Sequence, residues 1–418
     1  MIYTNSIVKL ISYNENKSNL FIEETESTKS SSGTAFFISK KYLITCYHCI
    51  DDSLKLYIMF DDNTSKYEVS VVKTIPVYDI CLLEVKDKID VKYEYLDISY
   101  NTLDLGSEIL VVGYPLKSDQ IKLANGIISG YKDLDYQISA PVNPGNSGGP
   151  MLYNNKVYGI VSYKIVGSEG MSFSKALTYM KDWINFIYTD KEIKEINIRI
   201  PELKIKFCNG HKKLFDYYNY KNMSGIIVVE SYDKYIKKGD IIYSVNNFDI
   251  NNKSYIKDLK MNVKHYISTL LFETKIIFKI IRNKKNIILE YIIKNDNYKK
   301  LDYKYYKEKF DIIEYKDFKF TKLTFNHLEE IVSSPHHFSE QEYQILQYME
   351  KYCDKEIWFV SKISAEMDED IIDNIKVYDI IVKINDYKIK EKKDIENAIK
   401  SKTKSPYILT KTRKIIFI

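Results

Sequence analysis

Arginine is nearly absent from this chain of 418 residues: Arg199, Arg282 and Arg413 are the only three, and lysine supplies the rest of the 62 basic side chains. Side chains that read base edges or clasp phosphates are preferentially arginine, so nucleic-acid binding gains no support. Net charge is only +5 against 57 acidic residues. No apolar run approaches the ~18 residues a membrane-spanning helix needs, and no signal peptide is expected at the start of the chain. A soluble protein of the cytoplasm or another intracellular compartment is expected. The five cysteines, Cys46, Cys49, Cys81, Cys208 and Cys353, are odd in number and contain one unpaired C-x-x-C, from Cys46 to Cys49. Reduced core thiols are expected, with a redox or zinc role for that pair as the alternative. The spacing makes no metal-site pattern, and no cofactor is expected.

Hydrophobic residues make up 45% of the chain, enough for packed cores, and the length calls for two or three domains. The excess of Ile, Lys, Asn and Tyr reads as compositional bias. Glycine (14) and proline (8) are scarce, yet three glycines and two prolines fall within Asn143-Pro144-Gly145-Asn146-Ser147-Gly148-Gly149-Pro150. An attacking hydroxyl needs a tight, exposed turn and backbone N–H groups aimed at the oxyanion that forms after attack. Gly145 can take the angles of that turn, and the hole is expected at Gly145, Asn146 and Ser147. A β-hairpin turning at Asn154-Asn155 follows. A Gly-rich loop with an incidental serine, or the G-x-S-x-G elbow of α/β-hydrolases, fits the same letters.

The partners of Ser147 decide between these. His48 is the only imidazole in the first 190 residues and follows the apolar strand Tyr42-Leu43-Ile44-Thr45. Asp51, Asp52, Asp61 and Asp62 sit in polar, turn-like clusters, whereas Asp79 opens the apolar run Ile80-Cys81-Leu82-Leu83. A carboxylate there is costly unless paired, and pairing with His48 removes the cost and fixes the tautomer. The order His48, Asp79, Ser147 excludes the elbow, which demands serine first, and is the chymotrypsin-like order. Short strands over 33–38, 42–45, 56–60, 80–85, 108–112 and 126–129 suggest a barrel or sandwich, closed by a helix over 175–187.

Thr45-Cys46-Tyr47-His48, the Asp79 run and the 143–150 string together resemble the HtrA/Deg serine proteases, over most of residues 5–190. Val112-Gly113-Tyr114-Pro115, Asn125-Gly126-Ile127-Ile128-Ser129-Gly130 and Gly170-Met171-Ser172-Phe173-Ser174 are smaller echoes. Two positions depart from the family: Ser139-Ala140-Pro141 stands where Asp-Ala-Ala is usual, and Tyr47 stands where a small residue is usual. The resemblance implies a chymotrypsin-like double β-barrel over 1–192 and unfolded or partly folded protein substrates. It also implies a homo-oligomer, often a trimer, and a specificity pocket at Pro141, Val142, Ser162 and Ser172. With Pro141 where an aspartate would select basic side chains, cleavage after small or medium apolar residues is expected.

Beyond residue 196 the chain repeats itself. Gly239-Asp240-Ile241-Ile242-Tyr243-Ser244-Val245-Asn246-Asn247 matches Tyr378-Asp379-Ile380-Ile381-Val382-Lys383-Ile384-Asn385-Asp386. Each copy follows an apolar strand, at 225–229 and 358–363, and precedes an expected helix. The first string is similar to the PDZ core motif, which implies α+β PDZ-like domains over 196–297 and 306–418, joined by a linker at 299–309 and closest to plant-type Deg proteases. Peptide C-termini would be captured near Leu203, Lys204 and Ile205, with lysine in place of the family's glycine. His336-His337 is expected on an exposed loop. The whole reads as a mostly β serine endopeptidase with PDZ-like modules, or alternatively as a catalytically silent scaffold or chaperone-like binding protein on the same fold.

Overall fold

The computed structural model describes residues 5–15, 28–51, 53–61, 64–165, 170–189, 196–217, 223–294, 310–333, 338–347, 356–364, 375–401, 406–411 and 415–417. Asp52, Asp62, His336, His337, Cys353 and the expected linker 299–309 lie outside the described residues.

Strands β1 (Ile7–Glu15), β2 (Thr28–Phe37), β3 (Tyr42–Thr45), β4 (Ser53–Met59), β5 (Tyr67–Ile75) and β6 (Ile80–Val85) close a barrel in the order β1-β2-β3-β6-β5-β4. Strands β7 (Glu108–Gly113), β8 (Lys122–Lys132), β9 (Asp135–Ile138), β10 (Pro150–Tyr153), β11 (Lys156–Lys164) and β12 (Ser172–Ala176) close a second, in the order β10-β11-β12-β9-β8-β7. The expected double barrel is therefore present. Closure removes the free edges that open sheets must protect. The hairpin joining β10 to β11 turns on Asn154 (φ 47°) and Asn155 (φ 62°), the left-handed pair that matches strand twist in a two-residue loop.

The closing helix is shorter than expected from sequence. Residues 172–176 pair on both sides, with β9 and with β11, and an ion pair of Lys175 to Asp135 (3.1 Å) holds that segment in the sheet. Helix α1 instead spans Lys181–Thr189 and buries Trp183, Ile184 and Ile187.

The next module is a six-stranded sheet of β13 (Ile205–Asn209), β14 (Ile226–Ser231), β15 (Ile241–Val245), β16 (Phe248–Asp249), β19 (Lys275–Arg282) and β20 (Lys285–Ile292). It carries α2 (Lys212–Tyr217), the short pair β17 (Tyr255–Ile256) and β18 (Met261–Asn262), and α3 (Val263–Thr269). It lies in one compact unit with both barrels. Ser268 O, near the end of α3, accepts from Tyr78 Oη and from Trp183 Nε1 (3.0 Å), which fixes α3 to the turn before β6 and to α1.

The second compact unit holds a three-stranded sheet of β21 (Ile312–Tyr315), β22 (Phe318–Lys322) and β23 (Trp358–Ile363) with helices α4 (Phe325–Ser333) and α5 (Glu340–Leu346). A four-stranded sheet of β24 (Ile381–Ile384), β25 (Tyr387–Lys388), β26 (Tyr407–Thr410) and β27 (Ile415–Phe417), with α6 (Lys392–Lys400), completes it. The sequence echo is an echo of geometry. Gly239 (φ 89°) and Tyr378 (φ 74°) make the same left-handed turn. Asp240 Oδ2 accepts from Lys237 N (2.7 Å), and Asp379 Oδ2 from Lys376 N (2.8 Å). Asn246 Oδ1 then accepts from Ile277 N (2.8 Å), as Asn385 Oδ1 does from Tyr407 N (3.0 Å).

Candidate active site

Strand β3 ends at Thr45, and a single 3₁₀ turn, Tyr47–Cys49, carries His48 out of the barrel wall. Asp79 follows a second such turn, Pro76–Tyr78, and takes a left-handed φ of 57° just before β6. That conformation is sparsely populated for a residue with a Cβ, though aspartate tolerates it better than most. It aims the carboxylate back at the first turn. Asp79 Oδ1 accepts from the His48 backbone N–H (2.9 Å), and His48 Nδ1 lies 2.8 Å from Oδ2 and 3.0 Å from Oδ1. Ser162 Oγ donates to Oδ2 at 2.6 Å. Tyr47 is buried, and its hydroxyl donates to Asp51 (2.9 Å).

These bonds set the protonation of the pair. Burial alone would pull the His48 imidazole down, but its hydrogen bond to Asp79, with the Cys49 thiol and the Asp79 charge beside it, holds it above its ordinary value. Burial would raise the Asp79 carboxyl, and the bonds from His48 and Ser162 lower it below the usual range instead. The anionic carboxylate behind Nδ1 draws the ring proton there, which makes Nε2 the nitrogen able to gain or lose a second one.

Ser147 stands in a turn built by its neighbours' amides. Asn146 N–H donates to Asn143 O (2.9 Å), Gly149 N–H to Asn146 O (3.0 Å) and Gly148 N–H to Val161 O (2.8 Å). Asn146, expected in the oxyanion hole, spends its N–H on shaping this turn. Among the described residues, the N–H groups of Gly145 and Ser147 have no intramolecular acceptor. Gly145 has a φ of 102°, and a Cβ there would overlap Tyr114 O. The carbonyls on either side of its N–H are both held. Pro144 O accepts from Leu116 N (2.7 Å), and Gly145 O accepts from Thr34 Oγ1 (2.7 Å). Thr34 N–H also donates to Ser147 O (2.9 Å). Ser147 Oγ donates to Ser162 O (2.9 Å), so Ser162 touches the acid through its hydroxyl and the serine through its carbonyl.

Ser162 was assigned to a pocket from sequence; its bond to Asp79 makes it a support of the acid as well. Thr34 and Leu116 were not singled out at all. Each acts through a backbone partner more than 25 residues away in the chain, and no local pattern marks such a role. Of the other expected pocket residues, Pro141 is exposed, Val142 packs in the core of the second barrel, and Ser172 is buried on β12. Ile205 N–H donates to Leu203 O (2.8 Å), and Lys204 O accepts from Tyr232 N (2.9 Å), so this amide of the expected carboxylate loop is engaged within the loop. Cys46, His48 and Asp79 are the one convergent trio of possible metal ligands among the described residues. Burial, then the nearby Asp79 charge, pushes the Cys46 thiol up, and it donates to Val161 O (3.2 Å), so it does not offer the thiolate a metal would need.

Two closed six-stranded barrels, with a histidine–acid pair from the first joined through Ser162 to a serine turn from the second, define a chymotrypsin-like fold. Residues 33–160 match the model of the trypsin-like peptidase domain. The chain is 30% identical over 236 residues to the serine protease DegP homolog of Plasmodium falciparum, covering 51% of this chain and 27% of that one. It is 22% identical over 304 residues to the mitochondrial protease Do-like 4 of Arabidopsis thaliana, covering 67% and 57%. Among solved structures it is similar to the HtrA-type protease AlgW with a decapeptide, with a TM-score of 0.54 and 17% identity over 70% of this chain and 96% of that one. The chain is thus a homologue of the HtrA/Deg-type proteases, and it spans about half the length of curated relatives such as Do-like 4.

Proposed function

We propose that the chain is a serine endopeptidase that hydrolyses exposed or unfolded protein segments. His48 takes the Ser147 proton as Oγ attacks a peptide carbonyl, and Asp79 stabilises the imidazolium. The N–H groups of Gly145 and Ser147 hold the oxyanion, each worth ~2.7–4 kcal/mol to the transition state. His48 then protonates the leaving amine, and water repeats the cycle on the acyl-enzyme. The observation that carries this reading is the pair of unspent amides beside Ser147, with Asp79, the partner of His48, joined to Ser147 through Ser162. In the resting arrangement Ser147 Oγ is bonded to Ser162 O, so attack begins with the hydroxyl turning to His48. Labelling with a fluorophosphonate probe tests the reading: Ser147-dependent labelling supports it, and a folded, unlabelled wild type sinks it in favour of a binding scaffold.

The exposed Pro141, with no acid at that position, supports cleavage after small or medium apolar residues. Cleavage-site mapping on unfolded casein checks this, and cuts confined to Lys and Arg would overturn it. Among the described residues no helix is long and apolar enough to cross a membrane. Free Cys46, Cys49 and Cys81 around the site support a reducing, intracellular compartment. Relatives are named mitochondrial or periplasmic. A homo-oligomer, which the family resemblance supports, is tested by sedimentation velocity.

A further inference from the structure

Lys9 is a charged side chain only 7% exposed, on the first-barrel strand farthest in sequence from the serine turn. Its Nζ donates to Lys117 O (3.0 Å) and pairs with Asp119 Oδ1 (2.6 Å), both in the segment that leaves the second barrel after β7. That segment turns through Leu116 (φ 56°) and Lys117 (φ 61°), two successive left-handed residues that carry a Cβ. Such a conformation persists only where surroundings hold it. Leu116 is 71% exposed, so its side chain does not anchor the turn. Its N–H is the donor that fixes Pro144 O (2.7 Å), and Pro144 O belongs to the peptide whose other end is the Gly145 N–H.

The register adds a second link. Lys9 on β1 is the direct cross-strand partner of Thr34 on β2. Side chains at such opposed positions share a face of the sheet. One of the pair holds the Gly145 carbonyl, and the other holds the turn that fixes the Pro144 carbonyl.

We propose that Lys9 is a positioning residue for the oxyanion hole. Its ammonium fixes the 116–117 turn, and through Leu116 N–H it orients the Gly145 amide toward the transition state. The inference rests on the peptidase reading above.

The full chain is compared as wild type, Lys9→Met and Lys9→Arg. Competent sites are counted by fluorophosphonate labelling to completion, and turnover of fluorescein-labelled unfolded casein is expressed per labelled site. Losing a whole oxyanion donor costs about 10²–10³-fold, so a loosened one is expected to cost Lys9→Met about 10-fold in kcat, with KM within about two-fold. Affinity for an apolar peptide boronic acid, which needs the hole only as a tetrahedral adduct, falls by a similar factor. Lys9→Arg, which keeps a donor, restores most of both. A Lys9→Met protein within two-fold of wild type in turnover and boronate affinity, or changed in KM alone, overturns the proposal. If Lys9→Met does not fold, Asp119→Asn takes its place, since Asp119 is 78% exposed. It is expected to lower kcat about three-fold, as a partial loss of the same positioning, and an unchanged kcat overturns the proposal. A wild type unlabelled at Ser147 removes the peptidase reading and this inference together; a labelled wild type matched by Lys9→Met removes this inference alone.

Discussion

Replacing Asp79 with asparagine keeps the shape of the acid and changes what it can accept. Oδ1 receives the His48 backbone N–H at 2.9 Å, a donor with no alternative orientation. The asparagine must therefore keep its oxygen there, which places the NH₂ where Oδ2 now stands. That position faces His48 Nδ1 at 2.8 Å and Ser162 Oγ at 2.6 Å. The Ser162 hydroxyl can rotate and accept. The nearer contact, to the new NH₂, favours the His48 tautomer with its proton on Nε2, so that Nδ1 accepts, over the longer 3.0 Å bond to the retained oxygen, and the nitrogen that should take the Ser147 proton is then already occupied. The imidazolium formed in the transition state would also meet a donor in place of an anion. Both effects act on the chemical step, so kcat should fall about 10³–10⁴-fold while the fold survives. Hydrolysis of labelled casein, with Ser147→Ala as the floor and thermal melting as the control for folding, gives the answer. A well-folded Asp79→Asn protein retaining more than a tenth of wild-type kcat would refute the assignment of Asp79 as the acid.

Gly145→Ala places a Cβ against Tyr114 O at a φ of 102°. The turn must shift, and labelling of Ser147 should slow about 10²-fold, the loss expected for one oxyanion donor; an unchanged rate would separate the turn from catalysis. The raised His48 value makes kcat/KM climb with pH as the base form appears, with a midpoint above the ordinary 6.5, and a midpoint at or below 6.5 would contradict the Asp79 pairing. The same shifts set the stability limits of this one ion pair. The depressed Asp79 gives stability that is lost as pH falls below its ordinary 3.8, and the raised His48 gives stability present below 6.5 and lost as pH rises through the folded value. Urea unfolding of the inactive Ser147→Ala protein across pH checks both limbs. Arg282 clasps the fully buried Asp240 with Nε and a terminal amino group, both at 2.7 Å. Arg282→Met strands that charge and should cost about 3 kcal/mol in chemical denaturation, while leaving Ser147 labelling intact.

The double barrel was legible because its signals are local. Apolar alternation marked the strands, Asn154-Asn155 marked the β10–β11 turn, and glycine scarcity made the 143–150 string conspicuous. The repeat was legible because Asp240 and Asp379 bond to their own turns three residues away. The helix boundary was missed because 172–176 is decided by strands on both sides, which the segment's own letters do not describe. The supports of the proposed oxyanion hole were missed for a related reason. Thr34 reaches Gly145 across 111 residues, and Leu116 contributes a backbone N–H that any residue other than proline would supply. Asp79 was legible as an acid in an apolar setting, but its left-handed backbone was not, because the constraint comes from the His48 turn it faces.

The division of the site between the barrels makes the catalytic geometry depend on how the barrels register. The proposed base and acid, His48 and Asp79, lie after β3 and before β6, and the proposed nucleophile, Ser147, in the turn before β10. Nothing within the serine turn alone sets its height against the imidazole. Thr34 does so twice, donating its N–H to Ser147 O (2.9 Å) and its hydroxyl to Gly145 O (2.7 Å), and that same hydroxyl accepts from Tyr114 N (3.0 Å) of the second barrel. Thr34 O in turn accepts from Thr45 Oγ1 (2.7 Å), at the end of the strand that leads to His48. One buried residue of the first barrel therefore measures Ser147, the Gly145 amide and the strand leading to His48 against a common point. The lack of room beside Gly148, where a Cβ would meet both Thr34 O and Thr45 Oγ1, is the steric counterpart of that registration. A fold that left these contacts to solvent could hold the same three catalytic side chains and still lack the sub-ångström alignment that proton transfer and oxyanion binding require.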